Sequence, residues 1–164
     1  MWAAELAEEL VDCGVDAAAL VPDRRLDPII AALRTRGTLV RALAAEEDCV
    51  AYAAGRRLAG GRPVVMMQSS GLGNSLNALA SLVVPYGLGV PLVVSMRGTL
   101  GERNPSQVPM GRAAAALLEA LGIQAFRVTD PAEVRRHARG IARMADAGIA
   151  AAMLLGQELE DADR

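Results

Sequence analysis

The chain has 164 residues, one domain's worth, and is 52% hydrophobic but only 2% aromatic. All 17 basic residues are Arg, there is no Lys, and 19 acids bring the net charge to −2. This excludes a lysine nucleophile, a Schiff base and a Walker-type phosphate loop. It also leaves no clustered positive excess to track nucleic acid and no aromatic platform to stack single strands.

The core must therefore be aliphatic, and 32 alanines favour helices that pack closely. Cys13 and Cys49 cannot form a zinc site with the single His137, so no metal site is expected. Both cysteines read as buried free thiols, which suits a reducing, cytoplasmic compartment. His137 stands among Arg135, Arg136 and Arg139, the pattern of a solvated helix face rather than of a catalytic triad. Residues 63–96 carry no charge, yet Gln68, Asn74, Asn77, Pro85, Pro91 and several glycines interrupt them. A membrane-spanning helix needs about 20 continuous apolar residues, so none is expected. The start, MWAAELAEELVD, is acidic and lacks the basic region of a signal peptide.

In chain order, Trp2, Leu6, Leu10 and Cys13 repeat at helical spacing, and Gly14 ends that helix. Residues 17–21 form a short buried strand stopped by Pro22. Residues 26–33 are helical, 38–43 extended and 46–58 helical, with Gly60 and Gly61 closing the last. The unbroken apolar run PVVMM (63–67) is a strand buried on both faces. After it, QSSGLGN (68–74) reads as a polar loop leading into a small-residue helix to Val84, then a strand over 91–95. Residues 97–110 are irregular, 113–121 helical and 125–128 extended. Asp130-Pro131-Ala132-Glu133 is a helix-start signature, with its helix running to about Ala147. Residues 149–155 form the last strand. Six strands alternating with six helices predict an α/β fold, an open, mostly parallel six-stranded sheet with helices on both faces. Residues 1–157 form that domain, and 158–164 are an acidic tail.

Ligands of such sheets lie beyond the carboxyl ends of the strands. The segments there are VPDRR (21–25), LAAEED (43–48), QSSGLGN (68–74) and SMRGTLGERNPSQVPMG (95–111). Glu46, Glu47 and Asp48 either complement the dipole of the helix they open or hold one catalytic carboxylate at the strand end. QSSGLGN is either a tight turn or a glycine-rich anion loop, and it satisfies neither the dinucleotide nor the P-loop fingerprint. The amides of Gln68, Asn74 and Asn77 beside it supply directional donors and acceptors. Arg97 and Arg103, with Glu102 and Gln107, are either solvated surface or an anion-reading set.

AAEEDCVAYAAG followed by PVVMMQSSGLGNSLNALASL resembles the pyrimidine-binding domain of thiamine-diphosphate enzymes. Within that family it is similar to the alpha subunit of sulfopyruvate decarboxylases and to the matching half of phosphonopyruvate decarboxylases. VPD (21–23), RGTLGE (97–102) and QVPMG (107–111) extend the likeness over nearly the whole chain. The family's activating glutamate stands nine residues before the glycine of the AAG run, here Gly55, which implies Glu46. A carboxylate there bonds N1′ of the cofactor's aminopyrimidine, and the cofactor acts as electron sink while CO2 leaves a 2-oxo acid. The resemblance implies Gln68, Ser69, Ser70, Gly71 and Asn74 beside the cofactor. It implies Asp23, Arg97 and Gln107 beside a small anionic substrate, with Arg97 matched to a sulfonate by charge alone. Phosphonopyruvate decarboxylases tend to carry Gln-His where this chain has Gln107-Val108, so 3-sulfopyruvate is the expected substrate, with phosphonopyruvate, or another anionic 2-oxo acid in a carboligation, as the alternative. No segment resembles the diphosphate-binding half, whose GDG…N holds Mg2+. A beta subunit carrying that half is therefore expected, in a heteromer with at least two copies of each chain. The rival of another class is a non-catalytic binding or assembly subunit, for which the acid at Glu46 has no use.

Overall fold

Six short extended segments pair side by side in the computed structural model, which describes residues 2–161. The strands are β1 (Ala17–Leu20), β2 (Leu39–Ala42), β3 (Pro63–Gln68), β4 (Pro91–Ser95), β5 (Gln124–Val128) and β6 (Ala151–Leu155). They form one sheet in the order β2-β1-β3-β4-β6-β5, and every pairing is parallel. The four inner strands carry unbroken apolar runs because helices cover both faces.

The helices are α1 (Trp2–Asp12), α2 (Asp27–Thr35), α3 (Glu46–Leu58), α4 (Ser69–Ala78), α5 (Val108–Ala120), α6 (Val134–Asp146) and the short α7 (Glu158–Asp161). Alternate strand residues face opposite sides, so two cores form. Ala18, Leu20, Val64, Met66, Val93 and Met153 pack beneath α1, α2 and α6. Ala19, Val65, Met67, Leu92, Val94 and Leu154 pack beneath α3, α4 and α5. This division follows from right-handed crossovers: steps toward β2 put their helix on one face, and steps toward β4 put it on the other. The chain reverses direction between β1 and β3, which opens a crevice at their carboxyl ends.

Most boundaries fall within two residues of expectation, and two differ in kind. QSSGLGN is not a loop, because Gln68 is extended and Ser69 already opens α4, which continues through a π turn over Leu79–Val83. Glycine's intrinsic cost in a helix hides this from the sequence, and tertiary packing around Gly71 overrides it. The irregular segment after β4 also ends early. Asn104 caps a single 3-10 turn at Pro105–Gln107, its side chain accepting from the Ser106 N–H, and α5 then begins at Val108. Pro109 fits there because the first turn of a helix needs no N–H partner.

The helix start at Asp130 forms as read, its carboxylate accepting from the Ala132 N–H at 2.9 Å. The acidic tail begins as α7, whose Leu159 is buried in the core and whose Glu158 pairs with Arg127 at 2.8 Å. Residues 162–164 lie outside the described residues. Both cysteines are free; Cys49 is buried, while Cys13 is only half-buried, just past the end of α1. No helix among the described residues is long and apolar enough to cross a membrane.

Candidate active site

The crevice at the carboxyl ends of β1 and β3 collects side chains from four strand ends. Beyond β2, Ala45 is extended and α3 begins at Glu46. One residue turns the helix by about 100°, so the three successive acids face different ways. Glu46 is buried, at 7% exposure, while Glu47 and Asp48 are exposed. The Glu46 carboxylate lies against the start of α4, and Asn74 Nδ2 in the second turn donates to its Oε2 at 3.1 Å. A Cβ on Gly71 would stand 2.3 Å from Glu46 Oε1, so only glycine lets α4 pass this close. Oε1 itself has no hydrogen-bond donor among the described residues. Below the site, burial pushes the Cys49 thiol up to about 12, with the charges of Glu46 and Asp48 adding to the effect. That thiol stays protonated and donates to the Ala45 carbonyl at 3.4 Å.

A second group forms where β1 and β4 end on either side of β3. Asp23 is buried and accepts four hydrogen bonds. Its Oδ1 takes the Arg25 N–H at 2.8 Å and Arg97 Nη2 at 2.9 Å. Its Oδ2 takes Arg97 Nη2 at 3.0 Å and Ser95 Oγ at 3.3 Å. The Arg97 backbone is pinned as well, because its N–H donates to the buried Ser69 hydroxyl at 3.1 Å. A Cβ on Gly111 would stand 2.0 Å from the Arg97 carbonyl oxygen, and one on Gly98 2.7 Å from Val108 Cα. The two glycines of RG…PMG thus let the first turn of α5 lie directly on the loop.

Two buried polar atoms here lack partners among the described residues: Arg97 Nε and Gln107 Oε1. Backbone N–H groups of Asn104 and Gly98 hold the Glu102 carboxyl below its usual range, with Arg97 and Arg25 nearby.

The structure therefore brings together Glu46, Gly71 and Asn74 as one set, and Asp23, Ser69 and Arg97 as another. Gln68 ends β3 between them, in register with Ser95, and is half-buried like Ser70. Neither Gln68 nor Ser70 spends its side chain on another described residue. Gln107 precedes α5 at the end of the 3-10 turn, its carbonyl oxygen 2.9 Å from where a Cβ on Gly98 would stand. Asn77 does not join, since it is exposed one turn along α4 and accepts from Ser81 at 3.3 Å. Arg103 is exposed and also stays apart. His137 is half-buried against Phe126, with Nδ1 2.9 Å from the Glu133 carbonyl, and joins no site residue. Sequence reasoning missed Ser95 and Arg25. A polar residue ending the apolar run PLVVS was a signal for Ser95. The Arg25 contacts, a backbone bond to Asp23 and Nη1 to the Met96 carbonyl at 3.0 Å, had none. No cluster of metal-binding side chains exists among the described residues.

A buried carboxylate with one oxygen engaged and the other undonated fits a protonated ring nitrogen, and Gln68 and Ser70 offer unspent polar groups beside it. Residues 2–99 match the family model described as the thiamine pyrophosphate enzyme, N-terminal TPP binding domain. The chain is 39% identical over 125 residues to a sulfopyruvate decarboxylase subunit alpha of Methanothermobacter thermautotrophicus, covering 76% of each chain. It is 34% identical to the protein of the same name from Methanocaldococcus jannaschii, over 76% of this chain and 74% of that one. A phosphonopyruvate decarboxylase of Streptomyces viridochromogenes is 35% identical over 71% of this chain, which spans 30% of that longer protein. Among solved structures, a 2-oxoglutarate:ferredoxin oxidoreductase from Magnetococcus marinus superposes with a TM-score of 0.73 at 12% identity. That match covers 96% of this chain and 29% of the other, and it shares the fold.

Proposed function

The chain belongs to the thiamine pyrophosphate (thiamine diphosphate) enzymes, as their N-terminal TPP binding domain, and from that premise we propose that it is the alpha subunit of a 2-oxo acid decarboxylase. The substrate we assign is 3-sulfopyruvate, in keeping with the names of its relatives. The C1–C2 bond breaks, CO2 leaves, and one proton taken up at the former C2 completes sulfoacetaldehyde. The observation that carries this reading is the Glu46 carboxylate, buried, anchored by Asn74 and left with one free acceptor.

The electron sink for the pair left behind is the chemistry that bound thiamine diphosphate supplies. Glu46 holds a proton at N1′ of the aminopyrimidine. Asn74 fixes the carboxylate, and Gly71 gives it room. Gln68, Ser69 and Ser70 line the pyrimidine side. Arg97 and Gln107 meet the anionic head of the substrate, and orienting that head presents the keto carbon to the cofactor. A beta subunit holds the diphosphate and Mg2+, and residues 1–157 are the pyrimidine-binding half of the divided site.

The similarity to phosphonopyruvate decarboxylases supports a second reading in which only the anionic head changes. The test is to recover the tagged chain from its own cells and assay CO2 release with thiamine diphosphate and Mg2+. Release from 3-sulfopyruvate, together with a second chain of similar size, is the expected result. Release from phosphonopyruvate alone would move the assignment to the second reading. A complex silent on both substrates would favour a non-catalytic subunit.

A further inference from the structure

The Asp23 carboxylate is full. A carboxylate offers about four acceptor sites, and Asp23 has all four occupied: the Arg25 N–H, Arg97 Nη2 on each oxygen, and Ser95 Oγ. Its side chain is 3% exposed, against 22% for that of Arg97. No lone pair and almost no surface remain with which to meet a substrate.

Arg97 is the opposite case. Its guanidinium has five N–H donors, yet only Nη2 is bonded, while Nε is buried without a partner. Both ends of this side chain are held. The backbone is fixed by Ser69 and by the contact with Gly111, and the guanidinium is fixed by Asp23. Two-point reading of a tetrahedral anion depends on that orientation more than on charge.

We infer that Asp23 is a positioning residue, which clamps Arg97 by one nitrogen so that the unspent donors of the guanidinium read the anionic head of the substrate. This deepens the decarboxylase reading and rests on it for the identity of the substrate. Two opposing effects give the inference a sign. If Asp23 contributed only its charge, removing that charge would strengthen anion binding at Arg97. If it positions Arg97, removing it weakens binding.

The test uses the full chain labelled with 15N-arginine and titrated with ethanesulfonate, following the Arg97 Nε–H signal. The wild type is expected to respond and saturate. Asp23→Asn should weaken binding at least tenfold, and Ser95→Ala, which removes one donor to Asp23 and leaves the ion pair in place, about two- to threefold. In the complex recovered from cells, Asp23→Asn should raise KM for 3-sulfopyruvate at least tenfold and leave kcat within about twofold. Unchanged or tighter ethanesulfonate binding in Asp23→Asn would overturn the inference. So would a loss confined to kcat, which would put Asp23 at the reacting carbonyl, or a wild type that ignores ethanesulfonate. A wild-type complex inactive on 3-sulfopyruvate, with Arg97 still answering ethanesulfonate and Asp23→Asn abolishing that answer, would remove the substrate assignment and leave the clamp standing.

Discussion

Three consecutive acids open α3, and their chemistry as residues is nearly the same. What separates them is helical rotation, which turns Glu46 under α4 and leaves Glu47 and Asp48 in solvent. Composition and spacing left that choice open; the family resemblance, through its interval to Gly55, implied Glu46, and Glu46 is also the one of the three that is buried. The roles proposed for these side chains follow from burial and can be separated by substitution. Glu46→Gln keeps the shape and the Asn74 contact but cannot accept or release a proton, so turnover should fall by about 100-fold or more. The melting temperature should stay within a few degrees, and Glu47→Gln and Asp48→Asn should keep near-normal rates. Steady-state CO2 release beside thermal melts of the three variants checks this, and a fully active Glu46→Gln would end the proposed proton transfer. Asp23 shows the limit of reading residues one by one. Its place in VPD marked it as a substrate contact, but only the fold reveals that Arg25, Ser95 and Arg97 have already filled it.

Elements were legible wherever period and breaker agreed, as in α3 and β4, whose bounds match the sequence reading residue for residue. They were illegible where glycine serves helix packing, because a rule that treats glycine as a breaker cannot see the neighbouring element. Gly71 in α4 and Gly111 in α5 are both such positions. Gly140 in α6, by contrast, has nothing within 4 Å of where its Cβ would be. Alanine there should stabilise by up to about 1 kcal/mol, raising Tm by roughly 2–4 °C. The same change at Gly111 drives a methyl into the Arg97 carbonyl and should cost about 2 kcal/mol or more. Melting curves that moved in the same direction for both variants would contradict this packing. A second prediction concerns α1 against α6, where buried Glu9 accepts from Arg139 Nε at 2.6 Å and Nη2 at 3.0 Å. Those bonds, with the charges of Arg139 and Arg135, hold the Glu9 carboxyl below its ordinary value of 4.5. A carboxyl whose pKa is lowered by folding adds stability above its unfolded value and loses it as pH falls through the folded one. Glu9→Gln should therefore melt lower than wild type at pH 7, and the gap should close on acidification below about 4.5. A gap independent of pH would mean that packing, not the ion pair, holds these helices together.

On the proposed reading, the whole molecule supplies one wall of a site. Its carboxyl edge holds an anchored carboxylate and a clamped arginine, yet among the described residues no side-chain cluster could hold a metal. The sequence contains no GDG…N segment. Leu58, Tyr86, Leu100 and Ile149 are the most exposed of the large apolar side chains among the described residues. Fold class could be read from the alternation of strand and helix, and the candidate edge from the rule that ligands of such sheets lie beyond the carboxyl ends of the strands; the reversal of strand order between β1 and β3 emerged only from the fold. The second wall that the proposed reading requires has no signal of its own in this sequence, because its side chains belong to the proposed partner. The proposed division of the site makes a prediction about this chain by itself. Purified and supplied with thiamine diphosphate and Mg2+, it should release no CO2 from 3-sulfopyruvate above background. Addition of the co-purifying chain should restore turnover, and the Tm of this subunit should rise with the concentration of that chain, as expected for any partner that binds only the folded state. Full turnover by the purified chain alone would mean that the diphosphate and Mg2+ are held by residues of this domain, and the proposed division of the site would fall.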